Sequence, residues 1–167
     1  IETLLDRLDQ EIVLQMKEKT ELIKGSFDHT LHETEKVAGV LASMGEIVRG
    51  IEKDDADTLF QMSQMFLNDD MDYIAFFNGK GVVLTRGHDK LSSGDDFSGN
   101  SLMTDALNSK KKSVLTQFEQ STYFITLTPV VLDNGTTIGV VATGISVENS
   151  ERLVKLALLH DVKILIS

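Results

Sequence analysis

The stretch Tyr73-Ile74-Ala75-Phe76-Phe77-Asn78-Gly79-Lys80-Gly81-Val82-Val83-Leu84-Thr85-Arg86 decides the fold. Its two apolar runs, rich in aromatic and β-branched residues, read as strands. Between them Asn78-Gly79-Lys80-Gly81 reads as a hairpin turn, because Asn-Gly tolerates the positive φ values a tight turn requires. The returning strand runs into Arg86-Gly87-His88 and then a Gly/Ser/Asp-rich loop, residues 87–99. Arg86 and His88 are two residues apart, so if the strand persists that far both side chains leave one face. A permanent cation beside a titratable imidazole suits a small carboxylate: the guanidinium offers a planar donor fork and the imidazole a second donor. The plain alternative is a surface Arg and His at a strand end.

Downstream, Ser101 to Lys110 reads as a short helix, Ser113 to Glu119 and Tyr123 to Val131 as strands, and Asp133-Asn134-Gly135 as a turn. Thr136 to Ser146 is a long strand, Glu148 to Leu159 returns to helix, and Val162 to Ile166 reads as one more short strand. Upstream, residues 1–52 hold no Pro, and apolar residues recur at steps of three and four: Ile1, Leu4, Leu5, Leu8, Ile12, Met16, then Ile23, Phe27, Leu31. That spacing is an amphipathic helix. Such a helix either projects from the domain or bends back near Gly25 or Gly39. Its first half, a narrow apolar stripe amid charge, suits a partner helix, and a homodimer is expected there. Asp54-Asp55-Ala56-Asp57 opens a second helix with acids in its first turn. Its Met and Phe residues read as core.

Five strands joined mostly by turns, with one helical crossover, describe an antiparallel sheet with flanking helices, an α+β domain. Ile138, Val140 and Ala142 lie on one face of the last long strand and Val141 and Ile145 on the other, so both faces must be covered. The N-terminal helix is expected on one. Loop 87–99 with its helix is expected on the other, leaving a ligand site between. The expected organisation is a long helix over 1–52 suited to dimerisation, an α+β module over 53–160, and a strand over 161–167 entering a following module.

The 167 residues carry 16 basic and 26 acidic side chains, a formal net charge of −10. That balance opposes nucleic acid and anionic lipid alike. An anionic ligand needs a local basic site against that field. With no cysteine, metal-thiolate sites, disulfides and a cysteine nucleophile are excluded. No apolar run is long enough to span a membrane. His29 and His32 share a helix face but no third metal ligand follows. Asp69, Asp70 and Asp72 lack the Gly and bidentate Glu of a calcium loop. Asp95 and Asp96 have no hydrolytic constellation around them, and no phosphate or dinucleotide motif occurs. No metal, no cofactor and no catalysis are expected.

The order of elements resembles the extracytoplasmic Cache (PAS-like) sensor domains of bacterial chemoreceptors, histidine kinases and cyclic-dinucleotide enzymes. The resemblance rests on the long leading helix, Asn78-Gly79-Lys80-Gly81-Val82-Val83, Arg86-Gly87-His88, Gly94-Asp95-Asp96, the helix ending in Lys110-Lys111, Thr128-Pro129-Val130, Asp133-Asn134-Gly135 and Ile138-Gly139-Val140-Val141-Ala142-Thr143-Gly144. It implies a long helix packed on a five-stranded antiparallel PAS-like sheet. It further implies a periplasmic or extracellular ligand-sensing domain whose parent is membrane-anchored by segments outside this chain. Arg86 and His88 look like the basic pair that contacts ligand carboxylates in citrate- and dicarboxylate-sensing kinases. Those sensors carry a further cation on the strand leading to the proline, and here Ile125 or Thr126 cannot neutralise a second carboxylate. A small organic acid with one carboxylate is therefore expected. The expected site has Arg86 and His88 on the carboxylate, Asp95 behind them, Tyr73, Phe97 and Tyr123 as walls, and Thr126 and Thr128 as polar contacts. The competing expectation is a dimerisation or binding-protein docking domain without a small ligand.

Overall fold

A computed structural model describes residues 2–68 and 71–148. The first helix, α1, runs unbroken from Glu2 to Ser43, roughly 63 Å at the α-helical rise. Gly25 and Gly39 lie inside it. The chain bends instead at Met44, whose extended backbone (φ −74°, ψ 131°) turns it into α2, Gly45–Glu52. Leu4, Leu5, Leu8 and Ile12 are exposed, so the first half projects. From Thr30 onward the helix lies on the sheet through Thr30, Thr34, Ala38 and Leu41, a stripe at steps of three and four. Its first three members are small, which lets the helix axis come close. Helix α3, Ala56–Gln64, starts where the acidic cluster placed it. Asp55 caps it, accepting from the Thr58 amide (3.2 Å) and hydroxyl (2.7 Å), as an N-cap aspartate does.

The strands are β1, Tyr73–Asn78; β2, Val83–Arg86; β3, Lys112–Phe118; β4, Ser121–Val131; and β5, Thr137–Ser146. Helix α4, Ser101–Leu107, crosses between β2 and β3, capped by Asn100. The strand order is β2-β1-β5-β4-β3, antiparallel at every pairing. The last of the described strands is thus inserted beside the first. The helix expected over 148–159 lies outside the described residues beyond Glu148, as do the strand over 162–166 and Asp69 and Asp70.

Two cores result, one per face. Leu41, Ile47, Ile51 and Leu59 from α1–α3 pack on Ile74, Phe76, Val130 and Val141. On the other face Met103 and Ala106 of α4 pack on Tyr73, Ala75, Phe77, Ile125, Leu127 and Ala142. Each large apolar side chain so buried contributes about 1.5–3 kcal/mol. The helix packing is close enough that glycine is required at one point. A Cβ on Gly139 would stand 2.3 Å from the Phe77 carbonyl oxygen and 2.7 Å from Ile51.

Candidate functional site

The site lies on the α4 face, at the end of the sheet where β2 stops. Strand β2 reaches it through a bulge: Phe77 pairs with Val83 but Phe76 with Thr85, leaving Leu84 as the extra residue. Val83 and Arg86 are three apart and would otherwise leave opposite faces. With the bulge, Arg86 stands opposite Ala75, on the same face as Val83, which is how a bulge re-aims a side chain. The strand does not persist to His88. It turns at Gly87, where the Asp89 amide donates to the Arg86 carbonyl (3.2 Å). His88 is exposed, but its ring still comes within 5.9 Å of the Tyr73 ring. Gly87 is buried against α3, its amide donating to the Ile74 carbonyl (2.8 Å) and its carbonyl accepting from Gln64 Nε2 (2.6 Å).

The loop then runs back along the open edge of β2. The Gly94 amide donates to the Val83 carbonyl, the Val83 amide to the Asp95 carbonyl, and the Phe97 amide to the Gly81 carbonyl, each at 2.9 Å. This short ladder delivers Asp95, Phe97 and Ser92 to the arginine. Arg86 is almost fully buried, 4 % exposed. Its Nη1 donates to Ser92 Oγ (2.7 Å), its Nη2 pairs with the largely exposed Asp95 carboxylate (2.9 Å), and its centre lies 6.0 Å from the Phe97 ring centroid, at the limit for a cation–π contact.

The strongest partner of Arg86 is one the strand pattern did not suggest. Glu119 Oε1 accepts from Nε (2.6 Å) and also from Nη2. Glu119 belongs to the two-residue connection between β3 and β4, with Phe118 paired to Ser121 across it. Glu119 (φ 54°) and Gln120 (φ 86°) both sit in the left-handed region, the geometry of a type I′ turn. Asn-Gly or Asp-Gly would have marked such a turn. Glu-Gln carries no such signal, and the sequence read it as the end of a strand. Burial works against the charged guanidinium, but the Glu119 hydrogen bonds and charge outweigh it and raise the arginine's proton affinity.

Aromatic rings wall the site. Tyr73 meets Phe118 edge-on (5.8 Å) and Tyr123 at a tilt (5.2 Å), while Phe97 stacks on Phe118 (5.1 Å, 19°) and meets Phe77 edge-on. Tyr73 is 1 % exposed, and its hydroxyl is buried with no hydrogen-bond partner. Burial first, and then the nearby Glu119 carboxylate, push the Tyr73 phenol above its ordinary range. It is therefore a neutral donor.

Of the expected site residues, Arg86, Asp95, Tyr73, Phe97 and Tyr123 come together here, with His88 at the rim. Thr126 and Thr128 do not. Side chains alternate along β4: Tyr123, Ile125 and Leu127 face α4, and the threonines face α1. Thr126 Oγ1 bonds the hydroxyls of Thr34 and Ser113, both at 2.9 Å, and Thr143 Oγ1 donates to the Thr34 carbonyl (2.7 Å). Thr126 thus belongs to the seam between sheet and α1, and Thr128 lies on the same side of β4 with its hydroxyl buried and unpartnered. Naming them with Tyr123 ignored the two-residue period of a strand. Glu119, Ser92 and Phe118 also stand at this candidate site, through their contacts with Arg86 and Phe97, and sequence reasoning missed them. Among the described residues no cluster of metal-ligating side chains occurs, and no helix is long and apolar enough to cross a membrane.

The fold recurs among solved sensor domains. The E. coli DcuS sensor domain superposes with a TM-score of 0.68 at 19% identity, over 78% of this chain and 98% of that one. The sensor domain of the V. cholerae histidine kinase DctB gives 0.70 at 11% identity, over 86% of this chain but 59% of its own length. The ligand-binding domain of the Campylobacter jejuni chemoreceptor Tlp3, solved with L-valine, gives 0.52 at 14% identity, over 86% and 64%. The chain thus spans nearly all of the first and about three fifths of the other two. No curated protein sequence matches it significantly. The dCache_3 profile, described as the double sensory domain of two-component sensor kinases, matches residues 10–166. A match over nearly the whole chain, on a sheet and helix order shared with solved sensor domains, places this protein in the dCache_3 family of sensory domains.

Proposed function

We propose that this domain senses a small organic acid bearing a single carboxylate, bound between the sheet and loop 87–99. The observation that carries the reading is the Tyr73 hydroxyl, which is buried close to Glu119 and Arg86 but makes no well-formed hydrogen bond to either. An unsatisfied buried polar group costs about 1–3 kcal/mol, and a ligand oxygen would recover that. Arg86 would bind the carboxylate, Tyr73 and the rim imidazole of His88 would donate to it, and Phe97, Phe118 and Tyr123 would enclose the apolar part. Binding carries a signal only through differential affinity for two arrangements of the domain. The seam of Thr34, Thr126 and Thr143 connects the sheet to α1, which supports that helix as the output. We further propose that the domain is extracytoplasmic, that its parent is anchored in the membrane by segments outside this chain, and that it dimerises through the exposed stripe of α1.

The test is thermal melting against small carboxylates, since ligand binding raises apparent stability by mass action. A monocarboxylate should raise the midpoint of the wild type. Arg86→Lys, which keeps the charge but loses the fork, and Arg86→Ala should both abolish the shift, and Tyr73→Phe should reduce it. No shift with any carboxylate, or an undiminished shift in the Arg86 variants, would overturn the assignment. A second reading, a docking domain without a small ligand, is favoured by one observation: Arg86 already holds a carboxylate of its own chain.

A further inference from the structure

We infer that Glu119 is an internal competitor for the ligand: its carboxylate occupies the ligand's place on Arg86 and is expelled when the ligand binds. The inference rests on the reading of Arg86 as the ligand's anchor and adds what holds the unliganded state. Three observations carry it.

The first is the edge used. Glu119 takes the Nε and Nη2 donors of Arg86. These lie side by side and form the fork on which an incoming carboxylate would dock. The remaining donor, Nη1, is spent on Ser92, and Nη2 is shared with Asp95. A ligand carboxylate and Glu119 therefore exclude one another at this edge.

The second is where Glu119 sits. It and Gln120 form the whole connection between β3 and β4, both at positive φ, a conformation that neither side chain favours. Nothing in their residue types holds that turn. The flanking Phe118–Ser121 pair and the pairing with Arg86 do, so losing the arginine removes one of the turn's two restraints. Exchange replaces one carboxylate by another and leaves the charge on the guanidinium compensated throughout.

The third is what the turn is joined to. Thr126, five residues along β4 from the turn, bonds Thr34 of α1 and Ser113 of β3. A change in the turn is thereby connected to the helix proposed as output, through one continuous strand. The two states differ in which carboxylate Arg86 holds, so the ligand binds one state and Glu119 stabilises the other.

The test uses acetate as the minimal carboxylate, titrated against sodium chloride of equal ionic strength and followed by tyrosine fluorescence. Glu119→Asn removes the carboxylate while placing at the left-handed position a residue that tolerates it. Glu119→Gln keeps the size and serves if the first variant misfolds. A resting fork open about 1–10 % of the time predicts acetate affinity roughly 10- to 100-fold higher in either variant than in wild type. The gain should vanish in the Arg86→Ala/Glu119→Asn double variant. Equal affinity in wild type and the Glu119 variants would overturn the competitor role and leave Arg86 as ligand anchor intact. Folded Glu119 variants that bind no acetate would overturn the reading of Arg86 itself, and so would a gain that persists without Arg86.

Discussion

Tyr73 and Tyr123 are the only tyrosines of a chain without tryptophan, and both are held neutral. Burial raises each phenol, seconded by Glu119 at Tyr73 and by Asp72 at Tyr123. The unfolded value is about 10. A group with a raised folded value holds its proton more tightly in the native state. The stability it contributes is whole below about pH 10 and is lost as pH rises through the folded value. Tyrosinate absorbance in the native protein should therefore develop only above the ordinary phenol range, together with alkaline unfolding. Tyr73→Phe should flatten the alkaline loss. Two tyrosines titrating at the ordinary value in folded protein would show that the ring cluster is not closed. Arg86 was legible as a candidate site residue from its position at the end of a strand. Its internal partner was not, because ion pairs across 33 residues leave no trace in local pattern.

At the scale of elements, the β1–β2 hairpin and the β4–β5 turn were legible from their Asn and Gly residues, although in the first the positive φ falls at Gly81, not at Asn78-Gly79, and Asn78 holds the turn by accepting from the Lys80 and Val82 amides. The β3–β4 turn was hidden because it uses Glu119 and Gln120 instead. That mismatch has a measurable consequence. Gln120 is exposed and held at φ 86°, so Gln120→Gly should relieve strain and stabilise the domain by about 0.5–1 kcal/mol, read as a higher urea midpoint. No gain would mean that the backbone there is not strained. The bulge at Leu84 was equally invisible. It costs the strand one residue of pairing and reverses the face of everything after it, which is why Arg86 reaches the aromatic wall. Helix α1 was legible throughout, but its end was not. Its glycines are accommodated, and the bend falls at Met44, whose side chain gives no warning.

At the scale of the whole molecule, both expected layers are present, and the second-layer loop is tied to the sheet edge by main-chain bonds. The two faces do different work: one carries the arginine and the rings, the other the threonine seam and α1. Leu8 and Ile12 lie one turn apart on the projecting half of α1, both exposed. If that stripe pairs two copies, Leu8→Glu with Ile12→Glu should convert a dimer to a monomer in sedimentation velocity without altering the melting of the sheet domain. A species unchanged by the pair of substitutions would remove α1 from the interface.

The strand order has a further consequence, for how the domain comes to exist. Tyr73 pairs with Gly144 and Asn78 with Gly139, so the central strand β5 and its neighbour β1 are the last and first of the described strands to be synthesised. Until β5 arrives, β1–β2 and β3–β4 are separate hairpins, each with an apolar face in water. Closing the sheet means paying the entropy of a long loop before any central contact rewards it. The slow step of folding is then the arrival of one strand, Thr137–Ser146, and a chain cut before it has two half-sheets and no centre.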